Sequence, residues 1–259
     1  MMPIVLADPT GENMKLTKFL KYLGIGLLGL FVIGVFGLII WATTGTLEAQ
    51  EVALAALEST ASVTVTQDRW IVFQPAADTE IGLVFYPGGL VEAKAYAPVL
   101  HQISEKGVLV IITPMPLNLA ILNVNAANDV IDAYPQITTW IIAGHSLGGA
   151  SAAIYAENNP ERVDAIALWD SYPADSADLS DNAITALSIF GTTDDWPNTE
   201  NFNDKRYLLP ADATFVGIEG ANHAQFGDYG EQRGDVVASI SLTEQHERVA
   251  EVMLDFIEP

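Results

Sequence analysis

The run Gly144-His145-Ser146-Leu147-Gly148-Gly149 carries the clearest chemical signal in the chain. It follows the apolar stretch Thr139-Trp140-Ile141-Ile142-Ala143 and precedes a helix-compatible stretch from Ala150 to Glu157. A serine in G-x-S-x-G between a strand and a helix sits on a sharp turn that exposes its hydroxyl at the strand end. Bulky neighbours would collide there, which accounts for a glycine two residues away on each side. The helix that begins beneath the serine aims its first N–H groups at any negative charge developing on a reacting carbonyl. The chemistry implied is nucleophilic attack by Ser146.

A serine hydroxyl is a weak nucleophile at neutral pH. It needs a base to take its proton, and the base needs a partner to fix its tautomer and orientation. Four histidines are available. His145 lies inside the motif, and its side chain is expected to project away from that of Ser146. His101 precedes the serine, on the wrong side of the chain order. His246 lies midway along a C-terminal amphipathic helix and reads as a surface residue. His223 follows the last strand, in Gly220-Ala221-Asn222-His223-Ala224, and ligand chemistry in parallel sheets collects at strand C-termini. His223 is therefore the expected base.

The carboxylate is sought at a strand end between Ser146 and His223, because a nucleophile on such a turn is followed in the chain by acid and then histidine. Leu187 to Gly191 supplies a strand and a glycine, and Thr192-Thr193-Asp194-Asp195 follows. Asp194 is the first choice and Asp195 the second; Asp170, at the end of the Val163–Trp169 strand, is a third. The oxyanion of a tetrahedral intermediate needs backbone donors. Leu147 N–H supplies one, and Gly89 or Leu90, in the loop after the Ile81–Tyr86 strand, supplies the other. This mechanism calls for no cofactor and no metal, and the histidines are too scattered for a zinc pattern such as H-E-x-x-H.

These residues must be held by a framework, and the remaining sequence supplies one. Ser62–Thr66 and Trp70–Gln74 alternate in polarity, as a hairpin around Gln67-Asp68 would. Ile81–Tyr86, Val108–Thr113, Trp140–Ala143, Val163–Leu168, Ala186–Phe190 and Ala213–Ile218 read as strands, several of them apolar without alternation. Helical patterns fall between them: Glu92–Ser104, with Pro98 awkward in its interior, Asn123–Ala133, Ala150–Glu157 and finally Leu242–Phe256. Apolar strands alternating with helices predict an α/β fold, a mostly parallel sheet covered by helices on both faces. Asp170 to Ala183 is too short for a multi-helix cap, so no large cap domain is expected. The cleft would be open, walled by Met115–Leu119, Ser171-Tyr172-Pro173 and Trp196, and suited to a modest apolar ester.

The N-terminal segment is of another kind. From Tyr22 to Trp41 there is no charged residue, a stretch close to the ~20 residues that cross a bilayer as a helix. Lys15, Lys18 and Lys21 precede it; Glu48, Glu51 and Glu58 follow it, with no Lys or Arg before Arg69. The positive-inside bias then places the N-terminus in the cytoplasm and the following domain outside. The expected organisation is a cytoplasmic tail over 1–21, a transmembrane helix over 22–41, a linker over 42–61 and one domain over 62–259. A cleaved signal peptide is the competing reading; its apolar core would be longer than usual and lacks a clear A-x-A site. Met14 could also serve as an alternative start.

Composition bounds the rest. The chain has 259 residues and no cysteine, so thiol chemistry and disulfides are excluded. Its formal net charge of −22 opposes nucleic-acid binding and fits a solvated acidic surface.

Taken together, Tyr86-Pro87-Gly88-Gly89, the Gly144–Gly149 run, Gly191-Thr192-Thr193-Asp194 and Asn222-His223 resemble the α/β-hydrolase superfamily over roughly Arg69 to Glu258. The nearest likeness is to small bacterial α/β hydrolases with an N-terminal membrane segment, a group that includes dienelactone-hydrolase-like (carboxymethylenebutenolidase) labels. Dienelactone hydrolase uses a cysteine where this chain has Ser146. The resemblance implies a serine carboxylester hydrolase at the cell membrane, acting outside the cytoplasm on a small ester or acyl substrate. A non-catalytic binding module on the same fold, or an acyltransferase or peptidase with the same triad, is the alternative.

Overall fold

A computed structural model describes residues 9–193 and 204–257. The chain divides into two compact units, Met1–Gly45 and Thr46–Pro259. The first contains one helix, α1 (Pro9–Thr44). Its stretch Lys18–Thr44 has a mean hydropathy of 2.7 over its most apolar window, and none of that window is buried. Leu27, Leu30, Phe31 and Ile33 are all exposed. At 1.5 Å per residue these 27 residues extend about 40 Å, more than a ~30 Å hydrocarbon core needs. Length and composition thus meet the requirement for crossing a membrane, a requirement that an N-terminal signal sequence also meets. Thr43 and Thr44 turn their hydroxyls back onto the carbonyls of Ile39 and Ile40, satisfying acceptors that the helix end leaves open.

The second unit is built on one eight-stranded sheet: β1 (Val63–Gln67), β2 (Ile71–Pro75), β3 (Ile81–Tyr86), β4 (Leu109–Ile112), β5 (Thr139–His145), β6 (Ala165–Trp169), β7 (Thr185–Gly191) and β8 (Thr214–Ile218). The strand order is β1-β2-β4-β3-β5-β6-β7-β8. β1 and β2 form the expected hairpin, β2 runs antiparallel to β4, and every pair from β4 to β8 is parallel. The order reverses between β4, β3 and β5, which brings the loop after β3 beside the loop after β5. Ligand chemistry gathers at such a switch point.

The strands are apolar on both faces because both faces are covered. Leu83 and Phe85 of β3, Ile141 and Ala143 of β5, and Ala167 and Trp169 of β6 point into one core. There they meet Val99, Leu100 and Ile103 of α3 (Ala97–Ser104) and Val249, Ala250 and Met253 of the last helix, α6 (Leu242–Ile257). The alternating residues Val84, Ile142, Ile166 and Leu168 enter a second core with Ala127 and Val130 of α4 (Ala126–Ala133) and Ala152 and Tyr155 of α5 (Leu147–Asn158). The period-2 geometry of a strand sends adjacent side chains to opposite cores.

Two local expectations are revised, at Glu92–Ser104 and at His246. The Glu92–Ser104 helix is split into a 3₁₀ turn at Ala93–Tyr96 followed by α3, and Pro98 occupies the first turn of α3, where its missing N–H costs nothing. Residues Thr46–Ala53, which run into the short helix α2 (Glu51–Ala55), are stitched into the second unit. Leu47 donates to the Leu90 carbonyl at 2.7 Å and accepts from Glu92 N–H at 2.9 Å, and Ala53 N–H donates to Asp228 Oδ2 at 2.8 Å. His246 is not a surface residue: it is 2 % exposed on the inner face of α6, where the periodicity of an amphipathic helix admits a neutral imidazole.

Burial lowers the pKa of His246 to about 4, against the opposing pull of the Gln225 and Gly227 backbone. The folded chain therefore binds this proton less readily than the unfolded one. Stability should fall as pH drops from about 6.5 toward 4, by up to about 3 kcal/mol from this group. Thermal melts across that range should show His246→Gln with a shallower dependence than the wild type. An identical slope in both would contradict the assignment.

Candidate active site

The turn at Ser146 has the strained geometry its sequence calls for. Ser146 joins β5 to α5 with φ +52° and ψ −123°, a conformation that side-chain-bearing residues rarely adopt. The chain crosses itself tightly here: a Cβ on Gly144 would come within 2.5 Å of the Gly148 carbonyl carbon, so only glycine fits. Two further contacts hold the turn. Ser146 N–H donates to the Trp169 carbonyl at 3.1 Å, and the Ser171 hydroxyl donates to the Ser146 carbonyl at 2.7 Å. Ser146 itself is partly exposed.

His223 lies in the loop after β8 and is 1 % exposed. The loop is braced at both of its shoulders. Asn222 N–H donates to Gln245 Oε1 at 3.1 Å, and Gln245 Nε2 returns a bond to the Asn222 carbonyl at 2.8 Å. Asp235 Oδ2 accepts from Asn222 Nδ2 at 3.0 Å and from Ala224 N–H at 2.7 Å. These bonds fix the backbone on either side of the imidazole.

The carboxylate that meets the imidazole is Asp170. Its Oδ2 is hydrogen-bonded to His223 Nδ1, with both side chains almost fully buried. Its Oδ1 accepts from Gly191 N–H at 3.2 Å. Asp170 is the first residue beyond β6 and has φ +42°, which swings its side chain from the strand end toward the histidine loop. That leaves Gly191 with a different task from the one its sequence position suggests. A Cβ there would lie 2.5 Å from the Ala221 carbonyl, so glycine lets β7 pass beneath the histidine loop. Among the described residues, Asp170 is the carboxylate paired with His223 Nδ1. Asp194, Asp195 and the wall residue Trp196 lie outside the described residues.

The backbone donors divide. Leu90 N–H is already committed to the Asn118 carbonyl at 2.7 Å, so it is not available to an oxyanion. Gly89 packs directly against Leu147: a Cβ on Gly89 would sit 3.0 Å from Leu147 Cδ2. Leu147 is the first residue of α5, and its N–H has no acceptor within the helix. Gly89 and Leu147 are therefore the pair the fold brings together. Asn118 and Leu117 both have positive φ, +53° and +54°, in the loop that reaches across to Leu90.

His145, whose side chain the sequence reading sends away from that of Ser146, packs against the histidine loop, a contact that reading does not anticipate. Its ring is fully buried and lies 4.4 Å from the His223 ring, centroid to centroid. Tyr96 Oη contacts its Nδ1 at 2.8 Å. Burial, and next the neighbouring His223, hold the His145 pKa well below the usual imidazole range, so the ring is neutral. Tyr96 carries no local signal, and Ser171 is expected only as a cleft-wall residue, since each acts through contacts distant in sequence. Among the described residues no group of three or more His, Cys, Asp or Glu is placed to hold a metal ion.

Comparison with known proteins agrees with this architecture. The family model described as "Alpha/beta hydrolase family" matches residues 82–247, which span β3 to the first turns of α6. No curated protein sequence matches the chain. Among solved structures, a CIB-like hydrolase from Thermoplasma acidophilum is similar with a TM-score of 0.58 and 14% identity, covering 75% of this chain and 98% of that one. Est1E from Butyrivibrio proteoclasticus is similar with a TM-score of 0.53 and 15% identity, over 77% and 100% of the two chains. MGS-MChE2, an alpha/beta hydrolase enzyme from the metagenome of lagoon sediments of Mar Chica, Morocco, gives a TM-score of 0.54 at 18% identity, over 76% and 97%. At such identities the likeness is one of fold. The family match covers well over half of the chain and includes the serine turn, the Asp170 strand end and the His223 loop; this protein belongs to the alpha/beta hydrolase family.

Proposed function

We propose that this protein is a serine hydrolase that cleaves a carboxylic ester, or a related acyl bond, through an acyl-enzyme on Ser146. The observation that carries the reading is the buried His223–Asp170 pair at the same sheet end as the strained Ser146 turn. A histidine whose Nδ1 is held by a carboxylate presents Nε2 as the base, in the tautomer that accepts a serine proton.

The steps follow from these groups. Ser146 Oγ attacks the acyl carbon as its proton passes to His223 Nε2. The carbonyl oxygen becomes an oxyanion, and Leu147 and Gly89 N–H supply the donors. Collapse breaks the bond to the leaving oxygen, which takes the proton from His223. Water then repeats the sequence on the acyl-enzyme, releasing the acid and restoring Ser146. Asp170 stays ionised throughout and steadies the imidazolium.

Residues 171–184, between β6 and β7, contain no helix, which supports a cleft without a cap inserted there. Its walls would be Met115–Leu119 and Ser171–Pro173, consistent with a small apolar acyl group. We read the apolar stretch Tyr22–Trp41 of α1 as a retained anchor, with the N-terminus cytoplasmic and the hydrolase domain outside, on the strength of the lysines before that stretch and the acidic residues after it.

A fluorophosphonate probe should label the wild-type chain, and Ser146→Ala should abolish labelling; an unlabelled wild type would contradict the reading. Asp170→Asn should lower kcat on a p-nitrophenyl ester on the order of 10³- to 10⁴-fold. Asp194→Asn should stay within about two-fold of the wild type. The reverse result would return the acid role to Asp194. Membrane fractions should hold the full-length chain, and a mature N-terminus near residue 45–50 in a soluble fraction would overturn the anchor.

A further inference from the structure

The proposed triad makes no use of Tyr96 or His145, yet both are completely buried in contact with its surroundings. Tyr96 lies at the end of the 3₁₀ turn before α3, and its Oη accepts Gly88 N–H at 3.0 Å. The same oxygen is 2.8 Å from His145 Nδ1. The Gly88 amide can only donate, so the single phenolic proton is free to go to Nδ1, and His145 carries its own proton on Nε2. The Tyr96 pKa is driven far up by burial, so the hydroxyl keeps the proton it donates.

His145 in turn is packed between two residues of the histidine loop. Its ring stacks on Phe226 at 5.6 Å with an interplanar angle of 16°, and meets His223 at 4.4 Å and 45°. The His223 carbonyl lies close enough to favour a proton on the His145 ring, without a hydrogen bond of normal geometry to Nε2. One hydroxyl therefore links the loop that carries Gly88 and Gly89 to the residue beside the nucleophile, and that residue supports the imidazole at 223.

We propose that Tyr96 and His145 are positioning residues for acyl transfer at Ser146, a buried hydroxyl–imidazole pair that holds the Gly88–Gly89 donor loop and the His223 ring in one register. This inference rests on the serine-hydrolase reading above. A polar pair suits the task better than an apolar filler for two reasons. An apolar residue at 145 would leave the Tyr96 hydroxyl proton without an acceptor in the interior, which is unfavourable. A permanently cationic residue would repel the imidazolium that forms at His223 during attack, whereas a neutral imidazole does not.

The test separates positioning from simple core packing. Tyr96→Phe removes one oxygen and leaves the ring. It should lower kcat on a soluble p-nitrophenyl ester about 10- to 100-fold, with KM within about two-fold, because a small misplacement of catalytic groups acts on the transition state. The rate of fluorophosphonate labelling should fall in parallel. His145→Phe should show a similar loss, and His145→Gln, which keeps an acceptor for Tyr96, should recover several-fold of it. A Tyr96→Phe variant with wild-type kcat, or a loss confined to KM, would overturn the proposal, as would equal activity of His145→Phe and His145→Gln. Should His145→Phe fail to fold, the Tyr96→Phe result decides alone. A wild-type chain that the probe does not label would remove the serine-hydrolase reading itself, and this inference with it.

Discussion

A carboxylate and an imidazole, both nearly sealed from solvent, are the contact around which the C-terminal end of the parallel strands is arranged. Asp170 and His223 have side chains only 3% and 2% exposed. Burying such groups is costly unless each finds its partner in good geometry. The surrounding structure supplies that geometry. A left-handed backbone at Asp170 turns the carboxylate out of β6, Gly191 N–H holds its second oxygen, and the absence of a side chain at Gly191 lets the histidine loop come close. Gln245 and Asp235 fix the loop from α6 and from the segment before it. Three strand ends and one helix thus converge on one imidazole.

The same economy joins the other half of the site. The reversal of strand order places the loop after β3 against the first turn of α5, so that Gly89 touches Leu147. Ser171, one residue beyond Asp170, bonds to the Ser146 carbonyl. The end of β6 therefore secures both the Ser146 backbone and the orientation of the His223 ring. The segment Thr46–Ala53 ties to the loop after β3 through Leu47 and to the region after the histidine through Asp228. The domain begins structurally well before its first strand.

What could be read from the sequence was what local geometry dictates. The serine turn is legible because its glycines and flanking strand are contiguous, and His223 because it follows the last strand at the correct end of the sheet. The sheet itself is legible from apolar runs separated by helical periods. The acid is harder. A carboxylate follows a strand end at both Trp169-Asp170 and Gly191–Asp194, only the second with a glycine between, and nothing local shows that Asp170 takes φ +42°. Aspartate is among the few residues that tolerate that region, which is the one faint clue. The inward turns of His145 and His246 were missed because a histidine's burial depends on what packs over it. The commitment of Leu90 N–H to Asn118 follows from two consecutive left-handed residues with no glycine to announce them.

The most direct test of the central contact is the proton on His223 Nδ1, observed by NMR on the histidine-labelled hydrolase. The account predicts a far-downfield resonance from that proton in the wild type, absent in Asp170→Asn and unchanged in Asp194→Asn. A resonance that survives loss of the carboxylate at 170, or that vanishes only when 194 is changed, would contradict it.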